Sequence, residues 1–287
     1  MNQIIIITII TLAGLGAVAA IILYVVAQRF KVYEDPRIDE VERALPGANC
    51  GGCGFAGCRA FAEALVKNKM WDNLYCPVGG NETMMEAASI LGRKAEEKAP
   101  QVAVVRCNGT PEFRPRSNEY DGAPTCAIAH QLYTGEGGCP NGCLGLGDCV
   151  EACNFDAIHM NPETGLPEVV DDKCTACNAC VEACPRDIIE LRTKNKKDRK
   201  IFVCCVNTEK GAVAIKNCKV ACIACGKCVK VCPFDAITME NNLAYIDPDK
   251  CKLCRKCVEV CPTNCIHEIN FPPRKTEKKE KAEAENK

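Results

Sequence analysis

The sequence predicts an α+β chain: one N-terminal transmembrane helix, a small helical domain built around cysteines, then two tandem copies of a compact cysteine-rich unit. Three observations predict it. No charged residue occurs from Ile4 to Ala27, 26 of the 287 residues are cysteine, and the string C-x2-C-x2-C-x3-C-P begins at Cys174, Cys222 and Cys251.

At about 1.5 Å per residue, the stretch Ile4 to Ala27 is long enough to cross a hydrocarbon core of about 30 Å. A signal peptide would have a shorter apolar run behind a basic start, and Met1-Asn2-Gln3 is not basic. Arg29 and Lys31 lie on the other flank, so the positive-inside rule puts the rest of the chain on the cytoplasmic side of a cell membrane. That compartment is reducing and suits free thiolates. Ala13, Gly16, Ala17 and Ala20 recur at helical spacing and could pack against other membrane helices, or simply be the small residues common in anchors. With no Asp, Glu, Lys, Arg or His inside the span, this chain is not expected to form an ion path by itself.

The net charge of −1 gives no global attraction to nucleic acid. A disulfide scaffold of this cysteine density belongs to short secreted chains and is rejected here. Only 5% of residues are aromatic and Trp71 is the single tryptophan, so metal–thiolate bonds are expected to supply folding free energy that packing cannot. The metal-free form should then be largely unstructured.

The expected divisions are an anchor at 1–28, a first cysteine domain at 29–100, two tandem units at 101–191 and 192–271, and a charged, disordered tail at 272–287. Residues 32–49 read as a linker. Arg59 to Asn73 reads as a helix, as does Glu82 to Lys98, with a Thr83-to-Glu86 capping box and a stop at Pro100.

A repeat organises residues 139–266. Four cysteine groups end in a cysteine followed five residues later by isoleucine: Cys153 and Ile158, Cys184 and Ile189, Cys232 and Ile237, Cys261 and Ile266. Cys139, Cys143, Cys149 and Cys153 share their spacing with Cys218, Cys222, Cys228 and Cys232, and Asp172-Lys173-Cys174 recurs as Asp249-Lys250-Cys251. The strings ending in Cys-Pro are the bacterial ferredoxin run, in which three cysteines wrap one 4Fe-4S cluster and the fourth binds its neighbour. Zinc sites use two CxxC knuckles separated by a long loop, which this pattern lacks.

By that crossover, Cys251, Cys254 and Cys257 pair with Cys232; Cys222, Cys225 and Cys228 with Cys261; and Cys174, Cys177 and Cys180 with Cys153. The remaining group departs from the pattern, because Leu146 stands where the second copy has Cys225. Cys139 could fill the vacancy, giving Cys139, Cys143, Cys149 and Cys184; a three-iron cluster is the alternative. Cys50, Cys53, Cys58 and Cys76, with four glycines among them, read as a fifth 4Fe-4S centre. Of the six cysteines left, Cys265 reads as a small buried apolar residue. Cys107, Cys126, Cys204, Cys205 and Cys218 could build a sixth cluster or remain structural thiols. His130, His159 and His267 show no ligand spacing.

The anchor followed by GANCGGCGFAGC and the ferredoxin repeats resembles the B subunit of the Rnf complex, the ion-translocating ferredoxin:NAD+ oxidoreductase of bacteria. The resemblance reaches Phe271, and its most specific part is the anchor joined to Cys50, Cys53, Cys58 and Cys76. It implies a translocase subunit without a complete active site, which takes electrons from reduced ferredoxin at the cytoplasmic face and passes them to polytopic, flavin-containing membrane subunits. The second ferredoxin pair marks a longer, polyferredoxin-like variant. The basic stretch Arg192 to Lys200 could steer an acidic ferredoxin, or be a solvated loop. A polyferredoxin subunit of a hydrogenase- or quinone-linked enzyme, and a reductant-delivery module for a redox regulator, are the competing readings.

Overall fold

The computed structural model describes residues 2–30, 34–71 and 74–273, so Lys31 and most of the expected tail lie outside it. Helix α1 (Asn2–Arg29) is the expected apolar helix; Ile6–Arg29 is long and apolar enough to cross a membrane and none of it is buried. Where a linker was expected, α2 (Arg37–Ala44) forms instead. Its Ile38 and Val41 pack with Phe61 and Leu65 of α3 (Cys58–Lys67) and with Met84 and Ala87 of α4 (Gly80–Ile90).

Both expected helices in this region end early. Helix α3 stops at Lys67, and Trp71 folds back so that its Nε1 donates to the Leu65 carbonyl at 3.1 Å. Arg93 Nη1 donates to the same carbonyl at 2.7 Å, satisfying a C-terminal acceptor that the helix leaves open. Helix α4 ends at a Schellman motif: Gly92 has φ +63, its N–H bonds Ser89 O, and Arg93 N–H bonds Ala88 O. The stop is therefore Gly92, well before Pro100. The capping box does not form either, because the helix begins at Gly80 and places Thr83 inside it.

Beyond residue 100 the chain builds two similar units, each closed by its outer strands. Strand β1 (Gln101–Val105) pairs antiparallel with β4 (Ile189–Thr193), enclosing the hairpin of β2 (Ile158–Met160) and β3 (Pro167–Val169). In the second unit β5 (Lys200–Val203) pairs with β8 (Ile266–Ile269), enclosing β6 (Ile237–Glu240) and β7 (Leu243–Ile246). Strand β4 extends to Thr193, past the division expected at residue 191. The recurrent isoleucines Ile158, Ile189, Ile237 and Ile266 open β2, β4, β6 and β8, and all four are buried. Two residues before each stands Asp156, Asp187, Asp235 or Asn264, with φ of +49, +50, +48 and +51. Asp and Asn tolerate this left-handed turn better than other non-glycine residues, which is why the same pair of positions ends all four cysteine groups.

The two units are tied together by buried cations. Arg106, beyond β1, donates to Val203 O and Cys205 O at 3.3 Å and pairs with Glu190 at 3.0 Å. Arg192 pairs with the same Glu190 and lies over Phe202 and Tyr245, while Lys200 pairs with Asp171. Both ends of the stretch Arg192 to Lys200 are thus buried, at 3% and 4% exposure, and are not available to steer a partner.

Leu65 is fully buried at the centre of the α2–α4 packing. Leu65→Ala is expected to lower the unfolding free energy of this region by about 2–5 kcal/mol, read as an earlier urea midpoint in its amide-exchange protection.

Candidate iron–sulfur sites

Four cysteine-bearing loops share one backbone conformation. After the first cysteine of each run, the residue two places on is left-handed: Gly145 (φ +75), Ala176 (+55), Ala224 (+55) and Leu253 (+58). So is the residue two places further, at Gly147, Asn178, Gly226 and Arg255. Alternating right- and left-handed residues turn successive N–H groups into one concavity, the backbone nest that favours an anion. The first-unit loop keeps this shape although Leu146 replaces a cysteine, so its site survives the substitution in form.

Three cavities are each lined by four thiols. Cys50, Cys53, Cys58 and Cys76 line one, and Gly79 N–H donates to Cys76 Sγ at 3.3 Å. Cys153, Cys174, Cys177 and Cys180 line another with Ala157, Ile158 and Leu191. The third is lined by Cys126, Cys143, Cys149 and Cys184. In the second unit Cys222, Cys225 and Cys261 crowd Cys228, and Cys251 and Cys254 crowd Cys257, with Cys232 against Cys251. Among the described residues no three His, Cys, Asp or Glu side chains converge on a single ion. The thiols stand back around space, which suits a multi-iron cluster better than one zinc with bonds of about 2.3 Å.

The cavity holding Cys143, Cys149 and Cys184 is lined by Cys126 and not by Cys139, the residue expected from the sequence. Cys126 opens α5 (Cys126–Leu132), whose first N–H groups, on Cys126 and Ala127, are held by the Asp148 carboxylate at 2.6 and 3.0 Å. That clamp carries the thiol to the vacancy, where the N–H of Leu146 itself donates to it. Cys139 does not line that cavity and lies within electrostatic reach of Cys107, Cys205 and Cys218. Cys204 also lies within electrostatic reach of Cys107, Cys205 and Cys218, but its thiol is engaged elsewhere. Neighbouring side chains on an extended backbone point to opposite sides, and its Sγ donates to Val105 O at 3.5 Å.

Burial dominates the thiol chemistry. It pushes Cys143, Cys180 and Cys257 up to about 12, with neighbouring thiolates adding to the effect. Cys265 is buried as expected, at 1% exposure, yet it is more than an apolar filler. Cys265 lies beside Cys205 and Cys222, and hydrogen bonding from its S–H to whichever of the two is ionised lowers them, to about 7 and about 6.

Cysteine groups of this kind, on two tandem pairs and a separate N-terminal domain behind an apolar helix, define a multi-cluster iron–sulfur protein of polyferredoxin type. Residues 45–77 match the family model of a putative Fe-S cluster domain, and residues 140–191 and 221–265 each match a 4Fe-4S dicluster domain. The chain is 46% identical to the B subunit of the Na+-translocating ferredoxin:NAD+ oxidoreductase complex of Acetobacterium woodii, covering 88% of this chain and 74% of the relative. It is 41% identical to the B subunit of the ion-translocating oxidoreductase complex of Methanosarcina acetivorans, over 88% and 93% of the two chains. Against the proton-translocating counterpart of Clostridium ljungdahlii the figures are 39%, 88% and 87%. The chain belongs to the family of Rnf B subunits, and this selects the first of the three readings left open by the sequence.

Ala176 occupies its left-handed position at a cost of about 1–2 kcal/mol. Ala176→Gly should keep the full complement of iron and acid-labile sulfide, whereas the β-branched Ala176→Val should lose about four irons per chain.

Proposed function

We propose that this chain is the electron-relay subunit of an ion-translocating ferredoxin:NAD+ oxidoreductase, held to the membrane by α1 with its cysteine domains on the cytoplasmic side. It takes electrons from reduced ferredoxin and delivers them to polytopic and flavin-containing membrane subunits. Five ligand sets serve this role: Cys50, Cys53, Cys58 and Cys76; Cys153, Cys174, Cys177 and Cys180; Cys126, Cys143, Cys149 and Cys184; Cys222, Cys225, Cys228 and Cys261; and Cys232, Cys251, Cys254 and Cys257. When bound there, 4Fe-4S clusters supply one-electron redox sites whose potentials are tuned by hydrogen bonds and solvent exposure.

The observation that carries the reading is a contact between two loops. A Cβ added at Gly52 would stand 2.7 Å from the Cys177 carbonyl oxygen, so the N-terminal thiol group abuts that of the first tandem unit. This glycine lets two ligand loops touch through backbone alone. Within each unit the two sets are also neighbours, since Cys149 lies beside Cys180 and Cys228 beside Cys257. The residues thereby arrange their sites in series from the membrane-proximal end outward.

At the far end, Cys225 and Cys254 are exposed, whereas the other cysteines are buried or half-buried. Exposed Lys227 and Lys230 follow the first, and exposed Lys250, Lys252 and Lys256 flank the second. An acidic ferredoxin fits this surface, and charge of this kind acts mainly on the rate of encounter.

In the assembled complex, Gly52→Val should leave iron content unchanged and slow reduction of the N-terminal group after mixing with reduced ferredoxin, followed by rapid-freeze EPR. Unaltered kinetics would remove this junction from the route. Lys227→Glu with Lys252→Glu should raise the KM for ferredoxin and weaken its salt dependence while kcat holds; an unchanged KM would place the docking surface elsewhere.

A further inference from the structure

Five four-thiol sets leave six cysteines, and four of these meet at the seam between the tandem units. Cys107, Cys205 and Cys218 lie within electrostatic reach of Cys139, and Cys139, Cys205 and Cys218 are 6%, 8% and 7% exposed. Backbone contacts independent of the thiols bring their four segments together. Lys219 N–H bonds Phe113 O at 2.9 Å, joining the segment after Cys107 to that of Cys218. Asn141 Nδ2 donates to Asn207 Oδ1 at 3.0 Å, joining the Cys139 loop to the Cys205 loop. A Cβ on Gly138 would stand 2.8 Å from Asn217 Oδ1, so Cys139 and Cys218 sit on abutting turns.

The four positions also obey the internal repeat. Cys107 lies two residues beyond the end of β1, as Cys205 lies two beyond β5. Cys139 stands four residues before Cys143, as Cys218 stands four before Cys222. The N–H groups two residues on, at Asn141 and Val220, donate to their thiols alike. Each unit therefore contributes one equivalent pair.

A guanidinium faces the group. Arg114 lies against Cys218 and donates through Nη2 to Cys143 O at 2.8 Å, while its Nη1 is buried without a hydrogen-bond partner. Arg114 as a whole is half-buried, and a guanidinium with an enclosed, unpartnered Nη1 is favoured by a negative neighbour, which four thiolates around a cluster would supply.

We propose that Cys107, Cys139, Cys205 and Cys218 form a sixth 4Fe-4S site, built half by each tandem unit. The inference rests on the iron–sulfur reading of the chain and adds a site to it. Its place closes the one break in the series. Cys143 N–H donates to Cys107 Sγ at 3.5 Å on one side, and Cys265 lies beside both Cys205 and Cys222 on the other. Cys204 and Cys265 then remain as thiols outside every ligand set.

The test is iron, sulfide and zinc per full-length chain, purified anaerobically in detergent, with Mössbauer spectra. The parent should hold about 24 irons, the double variant Cys139→Ser/Cys218→Ser about 20, and Cys204→Ser as many as the parent. About 20 irons in the parent and no loss in the double variant would overturn the sixth site while leaving the five-set reading intact. One zinc per chain lost in the double variant, in place of four irons, would overturn it too. A parent without iron would instead defeat the iron–sulfur reading itself.

Discussion

A thiol removed from water keeps its proton unless positive charge arrives with it, and most of this structure is arranged around that constraint. Cys143, Cys180 and Cys257 are raised by burial to about 12, so in the absence of metal the folded loops would hold neutral, mutually crowded thiols. The buried cluster next to those loops in the first tandem unit is small, Ala103, Cys149, Ile158 and Ile189 among the described residues, and one of these is itself a proposed ligand position. Ala176, Ala224 and Leu253 stay left-handed without glycine's freedom. Strain of that kind persists where the surroundings over-determine the backbone, and in these loops metal–sulfur bonds would do so.

The N-terminal domain solves the same problem differently. It has a conventional core, in which Phe61 and Leu65 pack with residues of α2 and α4, and a single thiol group set on its edge. The close approach of Gly52 to Cys177 can then be made by one loop, without disturbing the helices behind it. Packing fixes the position of the domain, and the core reaches the thiol group itself, since Cys76 is one of its buried members and Cys53 and Cys58 pack against it.

What the sequence shows follows from how local each determinant is. The cysteine runs and the recurrent isoleucines are short-range patterns, and the strands begin where those isoleucines stand. The Asp or Asn two residues before each isoleucine was equally local and equally regular, and could have been read with them. By contrast, the helix α2 has only Ile38 and Val41 as buried positions in eight residues, a signal too short to distinguish from a linker. The role of Cys126 was illegible for a different reason. It reaches Cys143 across an irregular segment, held by the Asp148 clamp, and nothing in its spacing announces that contact. The burial of Arg192 and Lys200 likewise depends on Glu190 and Asp171, partners that a count of basic residues does not reveal.

The two asymmetries between the tandem units have one explanation. In the second unit the short run supplies Cys225, and no segment like 106–138 precedes Cys218. In the first unit Leu146 replaces that ligand, and the longer segment brings Cys126 to the same cavity. If Cys139 had filled the vacancy, as its nearness in sequence suggests, it would have been drawn away from Cys107, Cys205 and Cys218. The supply of a ligand from α5 leaves Cys139 at the position that matches Cys218, so the pairing across the seam keeps its symmetry although the units themselves have diverged.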